Sequence, residues 1–136
     1  MCTALFSCDK MPANGDLDGM WQIMEIERGG TTTDMKQQQM YMSIQLSLFQ
    51  LGDIKNARRY YGYFKHEGGT IHFWKFSYAS ANETSADNNE PITADNVSLL
   101  HPYGFHALDE TFTVVKLTRD LLILQNDSTT IRYIKF

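Results

Sequence analysis

Between Met40 and Leu48 the chain alternates with period two. Met40, Met42, Ile44, Leu46 and Leu48 fall on one side, and Tyr41, Ser43, Gln45 and Ser47 on the other. In an extended chain this puts the aliphatic side chains on one face, whereas 3.6 residues per turn would scatter them around a helix. The pattern predicts one strand over Met40–Leu48 with one buried face, ended by the turn residues from Gly52-Asp53 to Asn56. Such a face has to be covered, and the rest of the chain decides whether helices or further strands cover it.

The rest of the chain supplies strands. Asp16-Leu17-Asp18-Gly19 is a turn cluster leading into Met20–Arg28, where Trp21 and Ile23 share one face while Met24 and Ile26 share the other. That switch predicts a bulge or sharp bend near Met24, the device that lets a sheet curl. Gly29 to Asp34 reads as a turn or short loop. Arg59–His66 and Thr70–Tyr78 flank Gly68-Gly69, a tight-hairpin signal. In that register His66 opposes Ile71, Phe64 opposes Phe73 and Tyr63 opposes Trp74. One face then carries Tyr61, Tyr63, Trp74, Phe76 and Tyr78, and the other Phe64, Ile71 and Phe73. Both are aromatic, so alternation leaves open which one looks inward.

From Ala79 to Asn96 no period survives, which marks the longest loop; loops of this length serve as lids, binding loops or disordered segments. A helical turn is expected within Pro91–Leu100 with Thr93 as its cap, followed by the turn-rich His101-Pro102-Tyr103-Gly104-Phe105. Thr111–Leu117, Leu121–Gln125 and Thr129–Phe136 then form a meander. Short strands joined by tight turns, without helical patterns between them, predict an all-β fold: a single antiparallel up-and-down β-barrel of about eight strands with at most one short helical turn.

The 136 residues suit one domain with a real core. Net charge is −4 and the longest basic run is Arg58-Arg59, so a row of phosphates has nothing to neutralise it and nucleic acid is not an expected partner. No apolar segment reaches the ~20 residues that span a bilayer as a helix. The monomer or a weak oligomer is the expected state.

Gly19-x-Trp21 at the mouth of the first strand, together with Arg132 in the last, resembles the lipocalin-like (calycin) barrels, and most closely the small lipocalin-like lipoproteins of Gram-negative bacteria, a group without an assigned function. The meander Phe112–Leu117 followed by Leu122-Ile123-Leu124 is similar in pattern. The resemblance covers about Asp16 to Phe136. It implies that Trp21 plugs the closed end of the barrel under a guanidinium from Arg132, a structural clasp worth ~0.5–2 kcal/mol; the plainer alternative is that Trp21 packs in the core while Arg132 is exposed. The Thr-Asp-Tyr motif of the family is absent, as is its disulfide, and the chain is short. No ligand-binding residue of the family therefore carries over.

The expected activity is non-catalytic binding of a small apolar or aromatic molecule inside the barrel. Met40 and Met42 with Tyr61, Tyr63, Trp74 and Phe76 would line the site, because methionine adapts to irregular shapes and tyrosine adds a polar tip. The same residues could instead fill the barrel, leaving a protein-interaction component of an envelope complex. Catalysis is not expected: no Gly-x-Ser-x-Gly, Cys–His pair or phosphate-binding glycine loop occurs. No cofactor and no metal are expected either. His66 and His72 fall on opposite faces, His101 and His106 could join Asp109 but nothing orients them, and Asp109-Glu110 reads as a solvated turn.

Leu5-Phe6-Ser7-Cys8 resembles a bacterial lipobox, although only seven residues precede Cys8 and a signal segment needs roughly 15–30. Residues 1–15 are expected to be a shortened signal, lipobox and tether, and residues 16–136 the barrel. Cys8 would carry the lipid, placing the protein in the bacterial envelope, in the periplasm or on the outer membrane, held to the membrane by lipid alone. Asn82-Glu83-Thr84, Asn96-Val97-Ser98 and Asn126-Asp127-Ser128 are formal glycosylation acceptors that read as ordinary loops in a bacterial protein.

Overall fold

The computed structural model describes residues 14–79 and 89–136. Among these, the strands are β1 (Gly19–Arg28), β2 (Thr31–Asp34), β3 (Met40–Gln45), β4 (Leu48–Asp53), β5 (Arg58–Glu67), β6 (Thr70–Ala79), β7 (Glu90–Pro91), β8 (Asp109–Leu117), β9 (Leu121–Gln125) and β10 (Thr129–Lys135). Every pairing is antiparallel. Strands β1, β3, β4, β5, β6, β8, β9 and β10 follow one another around the sheet, and β10 pairs back onto β1. The result is a closed eight-strand barrel, with β2 and β7 as short side strands. Closure leaves the eight barrel strands no free edge to be capped or protected.

Local chemistry accounts for the turns. Gly68 and Gly69 both have positive φ, 59° and 85°, as a two-residue hairpin requires. The expected register holds, with Tyr63 opposite Trp74, Phe64 opposite Phe73 and His66 opposite Ile71. The bend expected near Met24 is present as a register shift between Ile23 and Glu25 in the pairing with β10. Asp53 ends β4 by accepting hydrogen bonds from the backbone N–H of Lys55 and Asn56 and from Asn56 Nδ2, at 2.9, 3.3 and 2.7 Å.

Three expectations are corrected. Met40–Leu48 is two strands: the chain reverses at Leu46-Ser47, so that Gln45 pairs with Leu48. Met40, Met42 and Ile44 face the core as expected, but Leu46 and Leu48 are 64% and 49% exposed. Leu46 holds a φ of 57° without a glycine, so residue type carried no turn signal. Second, Gly29 to Asp34 is a hairpin whose return arm, β2, pairs with β1. Third, the helical turn is a seven-residue 3-10 helix at Val97–Tyr103, later than expected and with no side-chain cap. The Thr93 hydroxyl instead accepts a hydrogen bond from Asp95 N within the preceding turn, at 3.3 Å.

The core is one cluster running the length of the barrel, from Leu17 and Trp21 through Met42, Phe49, Phe73 and Phe112 to Ile131 and Tyr133. Leu100, Tyr103 and Phe105 belong to it too, although none lies on a strand. Cys2, Cys8 and Asn82 lie outside the described residues.

Candidate functional site

The six side chains expected to line a ligand do not share a face. Met40, Met42 and Phe76 are buried in the core. Tyr61, Tyr63 and Trp74 lie on the outer wall, Tyr63 being 42% exposed. A β-bulge divides them. Lys75 has φ 59°, and the β5–β6 register jumps from Tyr63–Trp74 to Tyr61–Ser77. The extra residue turns Phe76 inward, beside Phe73 rather than beside Trp74. Gly62 faces this bulge, and a Cβ there would come within 2.5 Å of the Phe49 ring. The aromatic ring of one strand thus occupies the space the next strand leaves empty.

Inside the barrel the centre is Phe105. Its ring lies 5.0 Å from Phe73, 5.4 Å from Phe76 and 5.5 Å from Phe112, each edge-to-face, and 6.2 Å from Phe49, stacked. Edge-to-face pairs at these separations are favourable beyond their area of burial. Phe105 follows the 3-10 helix, so the segment 97–105 acts as a stopper pushed into one end of the barrel. Gly104, at φ 97°, lets it fit: a Cβ there would sit 2.4 Å from Ile131 Cδ1. The Arg28 guanidinium donates to the His101 carbonyl and ties the stopper to the end of β1. Two phenol groups enter this interior without hydrogen-bond partners among the described residues, the hydroxyls of Tyr103 and Tyr133. Burial, with Asp53 close to the first and Glu110 close to the second, pushes both well above the usual tyrosine range, so both are neutral donors.

The rim beside the stopper carries the nearest thing to a catalytic cluster. Glu110 accepts from His106 N at 2.8 Å, Ala107 N at 3.2 Å and Asn126 Nδ2 at 2.8 Å. It is a loop anchor rather than the solvated turn residue the sequence suggested. The His101 and His106 rings lie 5.2 Å apart. Burial lowers the His106 pKa, and Arg28 and His101 lower it further against the opposing pull of Glu110. Asp109 does not join this pair; it meets His72 at 2.6 Å, while His72 stacks on Trp74 at 4.8 Å. Among the described residues no three His, Cys, Asp or Glu side chains come together as a metal site would need.

The opposite end is closed differently. Trp21 is fully buried and donates from Nε1 to the Leu17 carbonyl at 2.8 Å. The cation above its ring is Lys135, with Nζ 4.4 Å from the centroid. Lys135 Nζ also donates to the carbonyls of Asp16 and Asp18, at 3.0 and 2.7 Å. Arg132 does not form the clasp: it pairs with Glu25 on the outer wall at 3.8 Å. Strand parity is the reason. Ile131, Tyr133 and Lys135 alternate inward, which turns Arg132 outward, and Lys135 is the residue opposite Trp21.

The wall carries two hollows with largely apolar linings. One of about 300 Å³ lies between Met20, Tyr41, Gly52, Ile54 and Arg59, and one of about 400 Å³ between Leu48, Tyr61, Tyr63, Lys75 and Pro91. The second brings Tyr61 and Tyr63 together with Phe76, three of the six side chains expected to line a ligand, and alternation could not have located either hollow, because both depend on which strands become neighbours.

Crystal structures of two proteins match this architecture. One is a lipocalin-like protein from Bacteroides uniformis, 20% identical, with a TM-score of 0.63 over 90% of this chain and 100% of that one. The other is an uncharacterized protein from Bacteroides eggerthii, also 20% identical, with a TM-score of 0.62 over 88% and 98%. At this identity they speak for the fold. No curated protein matches the chain. The model of the lipocalin-like domain family matches residues 3–136. With its closed barrel, its buried Trp21 after Gly19 and a cation over that ring, the chain belongs to the lipocalin-like domain family.

Proposed function

We propose that this protein binds a small apolar or aromatic molecule without catalysis, inside the barrel, in the place that Phe105 fills here. The observation that carries the reading is Phe105 itself. Four phenylalanine rings on barrel strands surround a fifth that comes from a non-strand segment. They form an aromatic cup whose occupant is a non-strand part of the same chain. The unpartnered hydroxyl of Tyr133, on β10, offers a hydrogen bond to a polar group on the guest. Withdrawal of the stopper requires release of the Arg28–His101 tie, an exposed contact. The test compares wild type with Phe105→Ala, reading melting temperature with naphthalene. Naphthalene should raise the melting temperature of both, and that of the variant more, since apolar cavities of ring size take up such guests. A folded variant that shows no shift would sink the reading.

The reading includes a place. Acyl chains on Cys8, at ~0.8 kcal/mol per buried CH₂, would hold the barrel to an envelope membrane. Labelling with a radioactive fatty acid should mark the full-length protein but not Cys8→Ala, and equal labelling would end that part. One observation favours the second reading, a filled barrel that docks to another envelope protein: Leu48 and Tyr63 are exposed together around one hollow. Specific capture of an envelope protein that is abolished by Leu48→Asp, with no thermal response to naphthalene, would select it.

A further inference from the structure

The glycines of this barrel divide by what a side chain would meet. At Gly62 and Gly104 an added Cβ would overlap Phe49 or Ile131, so packing demands glycine. Gly52 is different. It is the penultimate residue of β4, without a positive φ, and a Cβ there would approach nothing closer than 3.9 Å. Neither backbone nor packing explains it. Its missing side chain does have one consequence. Gly52 stands between Tyr41 on β3 and Arg59 on β5 in the cross-strand row, and the gap is the floor of the 300 Å³ hollow.

The surroundings of that floor are specific. Tyr41, an outward-facing residue, is nevertheless only 5% exposed, because Phe136 packs edge-on against its ring at 5.0 Å. A rigid aromatic wall is thereby fixed on the outside of the barrel. Met20 and Ile54, both partly or largely exposed, provide apolar sides. Arg58 and Arg59 stand at one end, the only adjacent pair of Lys or Arg in a chain of net charge −4. Asp53 also lines the hollow, but its carboxylate is held by the turn through Lys55 N, Asn56 N and Asn56 Nδ2. Its charge offsets one guanidinium, leaving the equivalent of one cation. Ser43 and Gln50 add neutral hydrogen-bonding groups.

We infer that this outer hollow is a second binding site, separate from the barrel interior, for a small carboxylate with a flat apolar body. The body lies over Gly52 against Tyr41, and the carboxylate meets the Arg58–Arg59 end, where a guanidinium donates two parallel hydrogen bonds to a carboxylate. The volume is at the small end of the range for such sites, which sets a guest of one or two fused rings or a short chain. A neutral analogue keeps the stacking and loses the charge-assisted contact.

The experiment titrates the protein with 2-naphthoate and with the neutral 2-naphthylmethanol, following ligand fluorescence. Wild type should bind the acid more tightly, by about tenfold, the effect of one charge-assisted hydrogen bond. Gly52→Leu, which has room to fold, should abolish binding of the acid by filling the floor. Arg58→Gln and Arg59→Gln should each weaken the acid while leaving the alcohol unchanged, and 0.5 M salt should act in the same direction. In Phe105→Ala, which alters the interior, the part of naphthoate binding that Gly52→Leu abolishes should keep its wild-type affinity, so failure of this site and failure of the interior reading are separable. Absent binding of naphthoate, wild-type affinity in folded Gly52→Leu, or no preference for acid over alcohol would each overturn the inference.

Discussion

The two ends of this barrel are closed by unlike means. At the end where β1 begins, closure is local and polar: the Gly15–Leu17 turn lies under Trp21, whose Nε1 donates to Leu17, and Lys135 joins the last strand to Asp16 and Asp18. The hydrogen-bonding groups of that clasp find partners. At the other end a 3-10 helix and the residues after it are driven into the interior, held by aromatic packing and by one tie from Arg28. That end leaves the Tyr103 hydroxyl and the Arg28 Nε without hydrogen-bond partners among the described residues. Buried polar groups without partners cost about 1–3 kcal/mol each. The first end is a fixed base, and the second is a stopper whose seated state carries a penalty that a guest or water could relieve.

The largest effect that tests this contrast is at the base. Trp21→Ala should lower stability by about 3–5 kcal/mol in urea melts, and a loss below about 1 kcal/mol would show that the base is not part of the core. Next come two glycines with positive φ, one at each end. Gly104→Ala forces a methyl group onto Ile131 and should cost about 2–4 kcal/mol from strain and overlap together. Gly15→Ala meets open space and should cost only about 1–2 kcal/mol. Equal costs would mean that the stopper is not tightly seated.

Smaller differences separate the clasp from its outward neighbour. Lys135→Met removes the cation over Trp21 and should cost about 1–2 kcal/mol, whereas Arg132→Met, on an exposed pair with Glu25, should stay within about 0.5 kcal/mol of wild type. The reverse order would restore the arginine clasp. The smallest effect is a pH dependence at the stopper. The His106 pKa is lower in the folded state than in the unfolded chain. As pH falls through the ordinary histidine value near about 6.5, the unfolded chain takes up a proton that the folded one refuses. Stability held above that pH is therefore lost below it, until the folded value is reached. His106→Gln should flatten this part of the stability–pH curve, and an unchanged slope would assign it to another group.

Much of the fold was legible because it rests on short-range rules. Period two marked the strands, Gly68-Gly69 set a hairpin register that the structure keeps, and the phase switch at Met24 announced a bulge. Two of the failures share one cause. Leu46 and Lys75 adopt positive φ without being glycine or asparagine, so nothing in residue type announced the reversal at Leu46 or the bulge at Lys75. A one-residue shift in phase moves every following side chain to the other face. This is why Phe76 left the expected set with Tyr61, Tyr63 and Trp74.

By itself the amino-acid order determined an all-β chain with a buried tryptophan near its start and a closing meander, since these follow from neighbours within a few residues. The tertiary structure decided the rest: that Lys135 rather than Arg132 stands over Trp21, that Phe105 fills the interior, and that Gly52 opens a hollow on the wall. Each of these depends on which distant strands lie side by side and on the parity with which they meet. Those quantities are set by closure of the whole sheet, and no local segment contains them.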